Sequence, residues 1–282
     1  MRQFIVEKEN VKNGLIELIG KDFRYLRQVL RVKKGDMLNV RLDDGSLQGT
    51  TVSFIDDSAK KITLQICESK ENTITRGVQA DQVGGFFSDR AFVLFQFIPK
   101  PQKFELIVRQ ATECGISQIV PVIGEFSDKN CLHMFEGAKK ERFDRIIREA
   151  RQQSGSPVAT KITRPMKLEE AVDWWLEFSG AGAVAERPDL AGGDVAAWFA
   201  VALWERTEGE VPLNQLVSEH KNASKICIAV GNEGGISPSE ILLLKEKGFF
   251  STIHFDVNIL RCETAALYGI AAVQSAISQA LM

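Results

Sequence analysis

The chain of 282 residues has few of the residues and runs that mark special classes of protein. It contains only 5 Cys and 3 His, with no CxxC pair and no spacing typical of metal ligands, so no metal site is predicted. It has no run of about 18 uncharged apolar residues, and its N-terminal residues lack the apolar core of a signal peptide. We therefore expect a cytoplasmic protein without a membrane segment, in which the cysteines are small core residues.

The overall charge gives no sign of a polyanionic partner. The formal net charge is -2 and the pI is about 6.0, whereas nucleic-acid-binding domains are often strongly basic. Hydrophobic residues make up 44% of the chain and charged residues 26%, which is ordinary for a globular protein. Any contact with nucleic acid must therefore come from local basic patches.

The hydrophobic pattern divides the chain into two predicted domains, 1–72 and 73–282. In the first, short apolar clusters alternate with turn signals such as Lys-Gly-Asp at 34–36, which predicts a small β-barrel. Residues 73–90 are polar and aperiodic and are interpreted as a linker. From residue 91 onward, strand-like runs alternate with helical periodicity, which predicts an α/β fold with a parallel sheet.

A glycine-rich loop follows a predicted strand at 226–230. The sequence Gly-Asn-Glu-Gly-Gly at 231–235 leads into Ser237, Pro238 and Glu240, the pattern of a capped helix start. Three glycines in five residues let the backbone approach a ligand closely, whereas an ordinary strand-to-helix turn needs one. The loop has neither a phosphate-binding P-loop pattern nor the GxGxxG order of a dinucleotide fold. It therefore indicates a ligand other than a phosphate group.

A second loop, at 258–264, precedes a predicted final helix. Apolar residues repeat at helical spacing from 267 to 281, beside small residues that predict close packing in the core or in a subunit interface. Arg261 places a cation at the helix start, where it opposes the helix dipole. This position implies either compensation by a carboxylate, for which Glu263 is the candidate, or a functional role.

The two loops resemble the signature loops of one enzyme family. Residues 231–237 and 259–265 are similar to those of ribosomal RNA small subunit methyltransferase E, a uridine-N3 methyltransferase of the SPOUT superfamily. Three further stretches agree in the same order along the chain: 25–36, 100–121 and 148–155. The chain departs from the family at Asn232, where Pro is usual.

The resemblance implies an α/β SPOUT fold: a trefoil-knotted parallel-sheet domain after a small N-terminal PUA-like β-barrel that binds RNA. It also implies a homodimer, S-adenosylmethionine as cofactor, and 16S ribosomal RNA or the small ribosomal subunit as partner. The cofactor would be held by the two loops and by a third loop after an earlier strand, for which 199–205 is the best candidate and 183–186 the alternative. The residues assigned to the cofactor are Leu203, Trp204, Glu205, Val230, Gly231, Asn232, Gly234, Gly235, Ile259, Leu260, Cys262, Thr264 and Ala265.

The resemblance also implies which residues act on the RNA. Arg261 is expected to stabilise negative charge on the uracil oxygens, and Glu233 is the candidate proton acceptor. Arg24, Arg27 and Arg31 are predicted to share one helical face that binds RNA, although a solvated face is an equal alternative. The full set of predicted RNA-binding residues is Arg24, Arg27, Arg31, Lys33, Lys34 and Arg151.

Two alternatives to this function remain open. The chain could be a SPOUT enzyme that methylates another RNA position, or a non-catalytic RNA-binding protein with a knotted fold. Titration with S-adenosylmethionine separates them, because an enzyme should bind this cofactor and a non-catalytic RNA-binding protein should not.

Overall fold

The structure, a computed structural model, describes residues 4–7, 10–43, 45–67, 89–182, 198–206 and 211–282. The chain forms two compact units: one comprises Met1–Val83 with Arg151–Ala159, and the other comprises Gly84–Ala150 with Thr160–Met282. The predicted linker at 73–90 and the alternative strand at 183–186 fall largely or wholly outside the described residues.

The first unit is built on a six-stranded sheet in the order β1-β4-β5-β6-β3-β2. Its strands are β1 (Phe4–Val6), β2 (Val11–Lys12), β3 (Leu15–Ile19), β4 (Met37–Leu42), β5 (Leu47–Asp56) and β6 (Lys61–Ile66). Neighbouring strands are antiparallel except β1 and β4. In β3, Ile16 and Leu18 are buried and their neighbours are exposed, so one face of the sheet covers the core. The β-rich character of this region is confirmed; its closure into a PUA-like barrel stays a prediction.

The helical segment of this unit is irregular. Helix α1 (Gly20–Arg24) continues as a π-helical turn over Tyr25–Val29. Arg31 follows with a left-handed φ of 55°. The segment packs Phe23 and Leu26 into the core of the unit.

The second unit contains a parallel sheet in the order β10-β8-β7-β12-β11-β13, with β9 also pairing with β8. Its strands are β7 (Ala91–Phe97), β8 (Gln118–Ile123), β9 (Lys161–Ile162), β10 (Met166–Lys167), β11 (Trp198–Leu203), β12 (Lys225–Val230) and β13 (Phe250–Ile253). Every pairing between them is parallel. The predicted α/β fold with a parallel sheet is confirmed.

Helices cover both faces of this sheet. In β7, Phe92 and Leu94 belong to one buried cluster, while Val93 and Phe95 belong to the other, as expected for a strand covered on both sides. The first cluster includes side chains of α2, α3, α5 and α7, and the second those of α4 and α6. The helices are α2 (Pro101–Glu113), α3 (Ala138–Ser154), α4 (Leu168–Ser179), α5 (Leu213–Glu219), α6 (Pro238–Glu246) and α7 (Cys262–Ala280), with a 3-10 turn at Lys129–Phe135.

Some of the small residues of the final helix α7 pack inside the same chain. Gly269 and Ala276 are both buried, and a Cβ added to Gly269 would lie 2.6 Å from Cδ2 of Leu203. The sequence interpretation allowed these small residues to form a subunit interface, but Gly269 faces the chain's own sheet.

The order of the strands positions the candidate site. Strand β11 lies between β12 and β13 and is parallel to both, with Ala202 opposite Ala229 and Leu203 opposite Ile253. The carboxyl ends of the three strands therefore meet at one edge, where parallel α/β sheets bind their ligands.

Candidate active site

A cleft of about 340 Å³ lies at this edge of the sheet. Its walls come from the three segments that follow β11, β12 and β13. All the residues predicted to bind a cofactor line this cleft except Thr264, which is exposed on α7. Their roles as ligands stay predictions, although the structure brings them together. The predicted proton acceptor Glu233 also lines the cleft.

The third wall contains residues that the sequence interpretation missed. This wall includes the signature residues Ile259, Leu260 and Cys262, but the segment between β13 and these residues carries no recognisable motif. The structure adds Ile253, His254, Phe255, Val257 and Asn258 to the lining.

The glycine-rich loop is closed by contacts within itself. The Gly234 amide donates to Oδ1 of Asn232 at 2.8 Å, and the Gly235 amide donates to the Asn232 carbonyl at 3.1 Å. A Cβ on Gly231 would lie 2.6 Å from the backbone carbon of Gly235, and Gly235 itself has a φ of +80°. Gly231 is therefore required by the turn itself, and not only by a ligand. The Asn232 side chain, which replaces the usual Pro, organises the loop.

Gly234 is constrained by a neighbouring loop. A Cβ on Gly234 would lie 2.7 Å from Cβ of Phe126, in the segment after β8. The sequence interpretation explained this glycine by the space that a ligand needs. In the structure, the side chain of Phe126 already occupies that space.

The capping box that the sequence predicts for α6 is confirmed. The Glu240 amide donates to Oγ of Ser237, and the Ser237 amide donates to Oε2 of Glu240 at 2.9 Å. The other oxygen of the Glu240 carboxylate accepts from the Glu125 amide at 2.7 Å. The start of α6 is thereby fixed to the segment after β8.

A model of the RNA methyltransferase domain family matches residues 88–274. The chain belongs to this family.

Relatives of known name agree with this assignment. The chain is 28% identical to ribosomal RNA small subunit methyltransferase E 2 of Borreliella burgdorferi over 276 residues, which covers 96% of each chain. It is 26% identical to ribosomal RNA small subunit methyltransferase E of Synechocystis over 275 residues, 97% of this chain and 77% of the relative. The resemblance seen in the two loops is thus confirmed.

A solved structure has the same fold. Ribosomal RNA small subunit methyltransferase E of Neisseria gonorrhoeae, bound to S-adenosyl methionine, superposes with a TM-score of 0.69 at 21% identity. The match covers 98% of this chain and 97% of that one.

In this methyltransferase domain, Arg261 begins the final helix without an ion pair. Arg261 is the exposed N-cap of α7, and no ion pair involving it occurs within the described ranges. The Glu263 carboxylate pairs with Lys103 at 3.4 Å instead. The alternative in which Glu263 compensates Arg261 is therefore wrong. Arg261 lies between Leu260 and Cys262, which both line the cleft.

Cys262 is a buried residue that lines the methyltransferase cleft. Burial, and then its hydrogen bond with Glu263, raise the pKa of this thiol to about 12. Its Sγ donates to Oε2 of Glu263 at 3.3 Å. A thiol held in this form is a poor nucleophile, which favours the expectation that the cysteines are small core residues.

The basic residues predicted to bind RNA differ in their surroundings. Four of them are exposed: Arg24, Arg31, Lys33 and Lys34. Arg27 instead makes a bidentate ion pair with Asp57, with both nitrogen–oxygen distances at 2.9 Å. The prediction of a shared helical face is wrong, because Arg31 lies beyond the helix in a left-handed conformation.

Arg151 is unlike the other predicted RNA-binding residues. It is only 6% exposed, and burial, followed by repulsion from Arg41, lowers the pKa of its guanidinium. One of its nitrogens donates to the Pro157 carbonyl at 3.3 Å. Its burial leaves almost no surface for a phosphate, so we remove Arg151 from the set of RNA contacts.

Neither a metal site nor a membrane-spanning helix occurs in the part of the chain that the structure describes. Among the residues that the structure describes, no cluster of His, Cys, Asp and Glu side chains could hold a metal ion. Within the same residues, no helix has the length and apolar character needed to span a membrane.

Proposed function

We propose that this chain is an S-adenosylmethionine-dependent methyltransferase that modifies N3 of a uridine in 16S ribosomal RNA. The observation that carries the proposal is the meeting of three loops, two of them with the family's signature residues, around one cleft. The name and fold of the Neisseria protein support the choice of cofactor.

The residues of the cleft are suited to this cofactor. A volume of about 340 Å³ lies within the range of roughly 300–1,000 Å³ that is common for small-molecule sites. The indole Nε1 of Trp204 is buried without a hydrogen-bond partner among the described residues, and Trp204 lines the cleft. The carboxylate of Glu205 on the same lining favours a cationic ligand over a neutral one.

The residues of the chain would hold the reactants and move one proton. S-adenosylmethionine supplies a methyl group on a sulfonium, and in-line transfer from it depends mainly on positioning. N3 lies on the Watson–Crick edge, so the uridine must be unpaired or extruded before it can react. Glu233 would accept the N3 proton, and Arg261 would stabilise the negative charge left on the uracil oxygens.

RNA capture is assigned to the exposed basic residues of the first unit. Arg24, Arg31, Lys33 and Lys34 have no ion pair within the described part of the chain and would contact phosphates. Arg27 is left out because Asp57 neutralises it.

The resemblance supports the finer features of the proposal. These are a trefoil knot in the parallel-sheet domain, a PUA-like barrel over 1–72, a methyltransferase domain over 73–282, a homodimer and a cytoplasmic location. The six-stranded sheet of the first unit favours the barrel, and the full-length likeness to the Neisseria structure favours the two-domain fold.

The test is to treat small-subunit RNA with the protein and S-adenosylmethionine, and to map methylation by mass spectrometry. We expect one added methyl group on N3 of a uridine. A methyl group on another atom would indicate a different SPOUT specificity. A folded protein that fails to bind S-adenosylmethionine in calorimetry would overturn the proposal in favour of a non-catalytic RNA-binding protein.

A further inference from the structure

One lysine outside the cleft contacts a residue that lines it and another residue at the start of α7. Lys103 belongs to the first turns of α2, and its Nζ lies 3.3 Å from Oε1 of Glu233 and 3.4 Å from Oε2 of Glu263. Glu233 is part of the glycine-rich loop, whereas Glu263 is in the first turn of α7. A single ammonium therefore connects two chain segments that converge only in the fold.

Each of the two carboxylates has a second contact. The Lys100 amide donates to Oε1 of Glu233 at 3.3 Å, and the Cys262 thiol donates to Oε2 of Glu263 at 3.3 Å. The Glu263 side chain is 15% exposed and the Lys103 side chain 28%. The Glu233 side chain is 33% exposed, so the cluster is only partly shielded from water, and its ion pairs are screened less than those at an open surface but more than buried ones.

Lys103 is the cation that pairs with both carboxylates of the cluster. Burial alone would lower the pKa of the Lys103 ammonium, but the neighbouring carboxylates of Glu233 and Glu263 raise that pKa overall. Burial would likewise raise the pKa of Glu263, but hydrogen bonds from its own amide and from Cys262, together with Lys103, lower it. Both partners are therefore ionised near neutral pH. Without Lys103, two carboxylates would face each other without a cation between them.

We infer that Lys103 is a positioning residue for methyl transfer, because it holds the glycine-rich loop and the start of α7 at the spacing that the cofactor cleft requires. Lys103 does not line the cleft and acts through Glu233, which does. The inference rests on the proposed function. It gives Lys103 an electrostatic role, which a residue that only packs its aliphatic stem would not have.

The test combines a truncation with a rescue. Lys103→Met keeps the apolar stem and removes the charge. We expect the S-adenosylmethionine affinity to fall by about tenfold, a loss between those caused by removing an exposed and a buried ion pair. The single-turnover rate at saturating cofactor and RNA should also fall, because Glu233 is no longer held. Adding Glu263→Gln removes the repulsion and should recover most of the affinity.

The matched control is Lys247→Met, which breaks the exposed ion pair between Lys247, at the end of α6, and Asp173 of α4. We expect it to leave both the affinity and the rate unchanged. Hydrogen exchange of the ligand-free protein gives an independent readout: Lys103→Met should accelerate exchange in residues 231–235 and 261–265, and Lys247→Met should not.

The outcomes separate this inference from the proposed function. If the wild-type protein binds no S-adenosylmethionine, the proposed function fails, while the hydrogen-exchange comparison still tests the contact. If the wild type binds and Lys103→Met binds equally well with unchanged exchange, the inference alone is overturned. If Lys103→Met weakens binding but Glu263→Gln rescues nothing, the electrostatic role is wrong.

Discussion

Gly269 of the final helix packs against Leu203 at the end of strand β11, with only 2.6 Å between the position of an added Cβ and Cδ2 of Leu203. Leu203 lines the cleft, so the glycine sets how closely α7 approaches the site. A side chain at position 269 would displace Leu203 and so alter the wall of the cleft.

Gly269→Val should therefore destabilise the chain and weaken cofactor binding together. Overpacking of a core typically costs about 1–3 kcal/mol, which a thermal melt would detect. Calorimetry with S-adenosylmethionine should show the loss of affinity. Ala271→Val, at an exposed position of the same helix, is the control and should alter neither. If Gly269→Val changes only the oligomeric state in light scattering, the glycine serves a subunit interface instead.

A second prediction concerns the contact between Gly234 and Phe126. Gly234→Ala would place a methyl group 2.7 Å from Cβ of Phe126, so the glycine-rich loop must move and the S-adenosylmethionine affinity should fall. Phe126→Gly removes the obstructing atoms, and the double variant should regain part of the affinity. No recovery in the double variant would show that the ligand, and not Phe126, needs the space at position 234.

The sequence interpretation succeeded where the signal was local. The glycines at 231–235 and the Ser237–Glu240 capping box lie within one short stretch, so both the loop and the helix start could be predicted. The parallel sheet followed from alternating strand and helix periods. The meeting of 203–205, 231–235 and 259–265 required the resemblance, because strand order is not encoded in periodicity.

The errors arose where contacts depend on the fold. Lys103 and Glu233 are distant in the chain, and nothing in the pattern around either residue indicates the other. A stripe of small residues in α7 does not reveal whether it faces the chain itself or a partner. The packing of Gly269 against Leu203 could therefore not be predicted. The left-handed backbone at Arg31 cannot be foreseen from a non-glycine residue. It displaced that arginine from the predicted face.

A third prediction follows from the protonation of Cys262. Because the pKa of this thiol is raised to about 12, only about one molecule in ten thousand carries the thiolate at pH 8. Iodoacetamide at this pH should leave Cys262 unmodified in the folded protein, as measured by peptide mass mapping. Modification in denaturant is the control for accessibility. Rapid alkylation of the folded protein would show that the thiol is neither buried nor protonated.

A fourth prediction separates two kinds of basic residue in the first unit. Replacing exposed Lys33 and Lys34 by Ala should weaken RNA binding and reduce its salt dependence, because fewer phosphates are neutralised. Arg27→Ala should instead lower the melting temperature slightly, because it removes the pair with Asp57 and the bond to the Val32 carbonyl. Equal loss of RNA affinity in both variants would contradict the distinction.

The last prediction concerns Arg261 and separates catalysis from structure. Within the described residues Arg261 has no ion pair, and Glu263, its expected partner, is held by Lys103. Arg261→Ala should therefore leave the melting temperature and the S-adenosylmethionine affinity nearly constant. If Arg261 stabilises charge on the uracil oxygens, the single-turnover rate at saturating RNA should fall by roughly 100-fold or more, as on loss of an oxyanion-hole donor. Arg261→Lys should recover little, because an ammonium cannot reproduce a planar fork that reaches two acceptors. A normal rate in Arg261→Ala would remove this residue from the mechanism, and a parallel loss of affinity and stability would assign it to the loop instead.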